Sequence, residues 1–348
     1  MNPYIFASLL LALGLGTTIT LTSSHWLLAW MGLEINTLAV IPIMARRHHP
    51  RATEAATKYF LAQASAAATL LFAATTNAWL TGQWDIHQVM HPVPNALMIV
   101  ALAMKIGLAP THAWLPEVLQ GLDLPTGLLL STWQKIAPFA LLIQIHPNNT
   151  ALMIILGLAS SLVGGWGGLN QTQLRKILAY SSIAHLGWMA LVMHFSPSLS
   201  ILTLLLYFIM TSSTFLVFKL NNSTSINMLA ISWVKVPALT ALAPLLLLSL
   251  GGLPPLTGFI PKLLILQELT KQSLILAATV AALSALLSLF FYLRLTYVMA
   301  LTISPNNLVG TTPWRLQPHK MTLPMVTLVS MSLLLLPLTP TLVTLLCR

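Results

Sequence analysis

Four ionisable side chains fall deep inside long apolar runs. Glu34 is the tenth residue of a run over 25–44, Lys105 the twelfth of a run over 94–120 and Lys135 the eleventh of a run over 125–145. Lys262 lies past the middle of a run over 237–271. At 1.5 Å per helical residue, Glu34 sits about 15 Å along its run, half of a ~30 Å hydrocarbon core. A charge at that depth costs roughly 2.5–3.5 kcal/mol on insertion scales. Such groups survive by pairing or by facing water, and Glu34 with Lys105 is the obvious pair. A lysine held between an apolar surround and a carboxylate changes protonation when its partner moves. That is the property a proton relay requires. The alternative for Glu34 and Lys105 is a static bridge that fixes helix packing. No carboxylate at similar depth remains for Lys135 or Lys262, because Glu54, Asp85, Glu117, Asp123 and Glu268 fall near span ends or in loops.

Two histidines are further central candidates. His185, in Tyr180-Ser181-Ser182-Ile183-Ala184-His185, is the thirteenth residue of a run over 173–195, and His112 sits in a proline-interrupted segment. Either relays protons or holds water, or else makes an ordinary interhelical hydrogen bond. Other chemistry is poorly served. The single cysteine, Cys347, excludes a disulfide framework, a zinc cluster and a four-thiolate iron–sulfur site within the chain. Gly14-Leu15-Gly16 lacks the third glycine of a dinucleotide fingerprint, and Gly164-Gly165-Trp166-Gly167-Gly168 lies in an apolar run; both suit close helix packing instead. No cofactor site and no metal site is expected in this chain.

The elements that must position these groups follow from composition. Of 348 residues, 57% are hydrophobic and 6% charged, and the mean hydropathy is +0.84. Soluble proteins carry about 25% charged residues, so the chain is expected to be an all-α polytopic membrane protein. About eleven transmembrane helices are expected, over 3–22, 25–44, 54–79, 94–120, 125–145, 150–169, 173–195, 197–219, 237–271, 273–301 and 321–345. Trp26, Trp30, Trp79 and Trp84 lie near the expected interfaces and read as belt residues. The net charge of +10 gathers at span ends, where it meets anionic lipid; nucleic-acid binding is not expected. Arg46, Arg47, Arg51, Arg175, Lys176, Lys219, Lys235, Arg315 and Lys320 share one side if the N-terminus is inside, against Lys271 and Arg348 on the other. That asymmetry fits the positive-inside rule. The N-terminus has neither a signal-peptide nor a transit-peptide pattern.

Two runs carry matching interruptions. Lys105-Ile106-Gly107-Leu108-Ala109-Pro110-Thr111-His112-Ala113-Trp114-Leu115-Pro116-Glu117 and Gly251-Gly252-Leu253-Pro254-Pro255-Leu256-Thr257-Gly258-Phe259-Ile260-Pro261-Lys262 each place glycine and proline mid-run with a lysine close by. Gly107, Pro110, Gly251, Pro254 and Pro255 are the expected break points, since proline removes an amide donor and clashes with the preceding turn. Unwound backbone in a bilayer is tolerated only when buried in protein or facing a wet cavity. Paired interruptions are the best sequence pointer to a transporter-type repeat. The interruptions are the fourth spans of two sets of five. The expected organisation is therefore two five-helix repeats, 3–145 and 150–301, inverted because five is odd, with one additional helix over 321–345.

Several of these segments together resemble a known family. They are Trp30-Met31-Gly32-Leu33-Glu34-Ile35-Asn36, the Lys105 to Pro116 motif, Trp133-Gln134-Lys135-Ile136-Ala137-Pro138, Tyr180 to Gly187, and Gly251 to Lys262. In this order they resemble the antiporter-like subunits of respiratory complex I, in the short eleven-span vertebrate form; bacterial relatives carry three further N-terminal spans. The resemblance implies a proton-translocating module in the membrane arm of an enzyme that couples NADH oxidation by ubiquinone to proton pumping. The family's glutamate–lysine pair falls on Glu34 and Lys105, its bridging lysine on Lys135 and its exit-half lysine on Lys262. The resemblance also implies that NADH, FMN, iron–sulfur clusters and ubiquinone are handled by other subunits. Its implied partners are a neighbouring antiporter-like chain, small membrane chains and lipids, without which the chain is not functional. The implied location is the mitochondrial inner membrane, multi-pass, with the N-terminus on the matrix side. Two rivals remain on the residues alone: a stand-alone cation/proton antiporter and a passive assembly scaffold.

Overall fold

The helices begin where the sequence supplies caps. Asn2 Oδ1 accepts from the Tyr4 amide, His25 Nδ1 from Leu27 and His49 Nδ1 from Arg51. Prolines stand at the first turns of the helices starting at Pro3, Pro50, Pro92 and Pro197, where the missing N–H would be orphaned anyway. The computed structural model describes residues 2–47, 49–89, 91–145, 150–234, 237–301 and 322–346. Lys235, Arg315, Lys320, Cys347 and Arg348 lie outside the described residues. Among the described residues there is no β-strand, only two isolated bridges in loops.

Contacts divide the chain into two compact units, with the boundary between Gly157 and Leu158. The first unit holds α1 (Pro3–Thr22), α2 (Trp26–Met44), α3 (Pro50–Thr81), α4 (Pro92–Ile106), α5 (Trp114–Gly121), α6 (Leu124–Ser131) and α7 (Trp133–Gln144). The boundary falls inside α8 (Thr150–Gly167). The second unit holds α9 (Leu174–Met193), α10 (Pro197–Leu220), α11 (Ile226–Ala230), α12 (Pro237–Gly251), α13 (Phe259–Lys271), α14 (Ile275–Leu301), α15 (Thr322–Leu334) and α16 (Thr339–Leu346).

Eight of these segments are long and apolar enough to cross a membrane: α1, α2, α3, Leu124–Gln144, α8, α9, α10 and α14. The α15–α16 pair, bent by 65°, makes a ninth. Side chains are distributed as a bilayer requires. Leu11, Leu61, Phe72 and Leu286 are exposed, while Asn36, Gln63, Asn77 and Asn95 are buried. Backbone hydrogen bonds are internal to each helix, so apolar outer faces are compatible with lipid.

Close helix contact rests on small residues. A Cβ on Gly16 would overlap the Asn36 side chain and lie 2.8 Å from the Gly32 carbonyl oxygen, so α1 and α2 touch backbone to backbone. Gly164 has the same role against Ala184, whose amide nitrogen would lie 2.5 Å from an added Cβ. Gly14, by contrast, faces open space. Trp79 is 90% exposed, as a belt residue should be, but Trp26 is 1% exposed and belongs to the core. The Trp26 amide donates to the Trp84 carbonyl at 2.9 Å, which ties the start of α2 to the loop after α3.

Each unit ties its loops in the same way. In the first, the loop before α2 bridges the loop after α3, through Trp26 N to Trp84 O and Ile86 N to Ser24 O, both 2.9 Å. In the second, the loop before α9 bridges the loop after α10, through Leu174 N to Thr224 O and Ile226 N to Thr172 O, both 3.1 Å.

Candidate functional site

Both expected interruptions are real breaks. α4 stops at Gly107, whose φ of +89° is left-handed, and turns carry the chain to Trp114, where α5 begins. α12 ends at Gly251, Gly252 takes φ +80°, and turns lead to α13 at Phe259. The left-handed residue of the second break is thus Gly252, while Gly251 closes the helix before it. Pro110 lies in the first set of turns, and Pro254 and Pro255 in the second. A third break has no glycine: α6 and α7 part at Thr132, three residues before Lys135.

The breaks leave helix carbonyls without helical partners, and side chains take them. Gln63 Nε2 donates to the Lys105 carbonyl at 3.2 Å, and Trp114 Nε1 to the Met104 carbonyl at 3.1 Å. At the second break Lys262 Nζ donates to the Gly251 carbonyl at 2.7 Å. In an apolar surround an orphaned carbonyl is costly, so these donors hold the broken ends in place.

Lys105 and Lys135 are brought together. They are 6% and 2% exposed, and both line one small cavity in the first unit with Asn36, Tyr59, Gln63 and Gln134. About 10 Å³ of it is open to the centre of a water molecule, close to the least that holds one. Its polar wall is connected: Tyr59 Oη donates to Gln134 Oε1 at 3.5 Å, and Gln134 Nε2 to the Asn36 carbonyl at 3.3 Å. Buried Asn36 Oδ1 and Lys105 Nζ have no protein hydrogen-bond partner.

Glu34 is half-buried on α2 and within electrostatic range of Lys105. The two do not form a contact pair. Ion pairs elsewhere include Lys58–Glu54 and Lys58–Glu117, both 2.8 Å, and Lys271–Glu268 at 3.4 Å. Glu34 Oε2 is buried without a hydrogen-bond partner. Direct bridging was the simplest expectation for two charges at similar depth. The structure instead leaves each of them an open hydrogen-bonding position.

The histidines separate. His112 lies in the turns after α4, with Nδ1 3.2 Å from the Pro110 carbonyl oxygen of its own loop. His185 on α9 packs against buried Tyr207, with ring centroids 5.7 Å apart. Lys262 lies in the second unit beside an apolar cavity between α12, α13 and α14. Among the described residues no group of three or more His, Cys, Asp or Glu could hold a metal ion. Tyr59, Gln63, Gln134 and Trp114 escaped the sequence reading. Being uncharged, they were not among the ionisable groups singled out by depth, although Gln63 is a polar residue inside an apolar run.

Comparison with known proteins agrees over nearly the whole chain. The profile described as NADH:quinone oxidoreductase/Mrp antiporter, TM, matches residues 23–288, and that of the NADH dehydrogenase subunit 2 C-terminus matches 289–343. NADH-ubiquinone oxidoreductase chain 2 of Tetraodon nigroviridis is 70% identical over 345 residues, covering 99% of each chain. The Salmo salar protein of the same name is 67% identical over 347 residues, again covering 99% of each. Among solved structures, a chain of respiratory complex I from Thermus thermophilus superposes with a TM-score of 0.83 at 28% identity, covering 98% of this chain and 81% of that one. A chain of an archaeal membrane-bound sulfane sulfur reductase shares the fold, with a TM-score of 0.84 at 20% identity over 97% of this chain and 74% of the other. Full-length likeness at this level leaves one assignment: the chain belongs to the NADH-ubiquinone oxidoreductase chain 2 family and carries the NADH:quinone oxidoreductase/Mrp antiporter membrane domain.

Proposed function

We propose that this chain is a proton-translocating subunit in the membrane arm of mitochondrial respiratory complex I. Lys105 and Lys135 carry the proposal: two lysines buried on one small cavity with Asn36, Gln63 and Gln134, at a broken helix, with room for about one water between protein groups. Lysines buried at that depth are expensive to keep, and a proton path gives them a reason to be there. In the first unit Glu34 modulates Lys105, which exchanges protons with Lys135. In the second, Lys262 exchanges with the other side of the membrane. His112 and His185 are possible relays of lesser weight, because each already faces a protein group of its own.

Counting α4–α5 and α12–α13 each as one broken crossing brings the spans to eleven. The matched loop bridges and the matched left-handed glycines support two five-helix repeats over 3–145 and 150–301, inverted, with 321–345 as the additional helix. The bias of basic residues along the sequence supports an N-terminus on the matrix side of the inner membrane. NADH oxidation, FMN, the iron–sulfur clusters and ubiquinone reduction belong to other subunits, on which this chain depends. Its neighbours are a further antiporter-like chain, small membrane chains and lipid. Moving one charge costs ~2.3 kcal/mol per 100 mV, so those subunits must supply several kcal/mol per proton.

A stand-alone cation/proton antiporter is the rival, because the matched membrane-domain profile also describes Mrp antiporters. Alkali-cation sites favour carboxylates, whereas the buried charges here are mostly lysines.

The test is Lys135→Met in the intact complex. Proton release coupled to NADH:ubiquinone reduction falls while the complex still assembles. An unchanged proton yield would reduce the chain to a scaffold, and cation-dependent proton flux from the isolated chain would favour the antiporter.

A further inference from the structure

The cavity beside Lys262 is unlike the polar one beside Lys105. It has a volume of about 340 Å³ and a wall that is almost wholly apolar, with Trp188, Phe259, Leu263, Leu266, Ala285 and Leu289 on it. Drug-sized ligand pockets begin near 300 Å³. Lys262, Gly251 and Gly252 complete its lining, and at that end the Lys262 ammonium donates to the Gly251 carbonyl at 2.7 Å. Lys262 approaches so closely that a Cβ on Gly252 would lie 3.0 Å from Nζ. Its rim is formed by side chains open to the surroundings, Leu263 at 44% and Leu286 at 61% exposure.

An ammonium has three donors, and among the described residues Lys262 uses one, on Gly251. The pocket therefore offers one positive charge with two donors at the end of an apolar slot. We infer that this cavity binds a long-chain carboxylic acid, with its carboxylate on Lys262 and its chain running out between α13 and α14.

Depth selects this class of amphiphile. α12 runs 15 residues to Gly251 and α13 runs 13 residues from Phe259, about 22 Å and 20 Å of helix. The break thus sits near mid-membrane. A phosphodiester or quaternary-ammonium headgroup keeps its charge and stays at the interface. A carboxylic acid enters an apolar core in its neutral form and passes its proton to the Lys262 amine there, so that carboxylate and ammonium form together as a pair. Charge complementarity and chain shape are then satisfied together.

The inference does not depend on whether Lys262 carries protons, and its test reads binding alone. Intact complex in its native membrane is labelled with a diazirine-bearing palmitic acid, and the adducts are mapped by mass spectrometry. Adducts are expected on the α13 and α14 segments, reduced at least fivefold by excess palmitic acid and unaffected by hexadecanol or phosphatidylglycerol. Ala285→Phe, which fills the slot, abolishes them in the assembled complex. Competition by hexadecanol as strong as by palmitic acid would overturn the inference. So would adducts spread evenly over the outer helix faces, or labelling displaced by phosphatidylglycerol.

Discussion

The ammonium of Lys262 donates to the carbonyl oxygen of Gly251 at 2.7 Å, across the turns that separate α12 from α13. The last carbonyls of a helix are its negative end, and a lysine beyond the break neutralises them. The first break solves the same problem with neutral donors, Gln63 and Trp114. Lys105 is thereby released from capping, and its ammonium has no protein hydrogen-bond partner. Both lysines line a cavity, but they differ in kind: one is tied to backbone, the other has no protein hydrogen-bond partner.

Capping and proton exchange at Lys262 separate by substitution. Lys262→Met removes the donor, and losing a charged hydrogen bond costs about 1.5–3 kcal/mol. Lys262→Arg keeps a donor but cannot release its proton. Thermal unfolding of the assembled complex should therefore shift down for the methionine variant and change little for the arginine variant. Proton release per NADH should fall in both.

Gly252 holds a left-handed backbone with Lys262 against it. Gly252→Ala adds a Cβ in a conformation that costs roughly 1–2 kcal/mol for other residues, and it presses on Lys262 as well. Gly14→Ala meets nothing within 4 Å and sits inside a helix, where alanine is favoured by about 1 kcal/mol. The first substitution should lower the yield of assembled complex on native gels and the second should not.

Much of this was legible from residue types. Apolar run lengths gave the bounds of α1 and approached those of α2, α8, α9 and α10 within two residues. Glycine and proline marked both breaks, because each has a backbone consequence that no context removes. The break at Thr132 was not legible. No glycine stands there, and the nearest proline, Pro138, lies inside α7 and directs attention one turn too late. The interruption at Leu335 between α15 and α16 stands just before Pro337 and Pro340, a proline signal that the single run over 321–345 passed over. At the site, charge depth pointed to Glu34, Lys105, Lys135 and Lys262. Whether two of them touch is decided by rotamers and helix rotation, which spacing does not encode. Trp26 looked interfacial by position and belongs to the core.

Gln63 tests how far the Lys105 cavity depends on its wall. Gln63→Leu leaves the Lys105 carbonyl buried without its donor, a loss of about 1–3 kcal/mol, and removes a polar group from a cavity with room for about one water. Lys58→Ala breaks two ion pairs, but Lys58 is 43% exposed, and such pairs contribute about 0–1 kcal/mol. Coupled turnover and stability should both drop for Gln63→Leu, with Lys58→Ala close to the parent in both. The reverse order would move the important polar network to the α3–α5 surface.

Glu34→Gln separates a relay from a rivet. Glutamine keeps the volume of the side chain and removes its charge. Were Glu34 and Lys105 a locked pair, the change would strand a buried ammonium, and breaking a buried contact pair costs about 3–5 kcal/mol. The structure has no such contact: Glu34 Oε2 and Lys105 Nζ are each without a hydrogen-bond partner, and an uncontacted lysine can shed its proton rather than remain a stranded charge. Assembly and thermal stability should therefore fall by less than that amount, while coupled proton release slows because the charge that biases Lys105 is gone. A variant that unfolds readily yet pumps normally in its surviving fraction would make Glu34 a packing residue and remove it from the proton path.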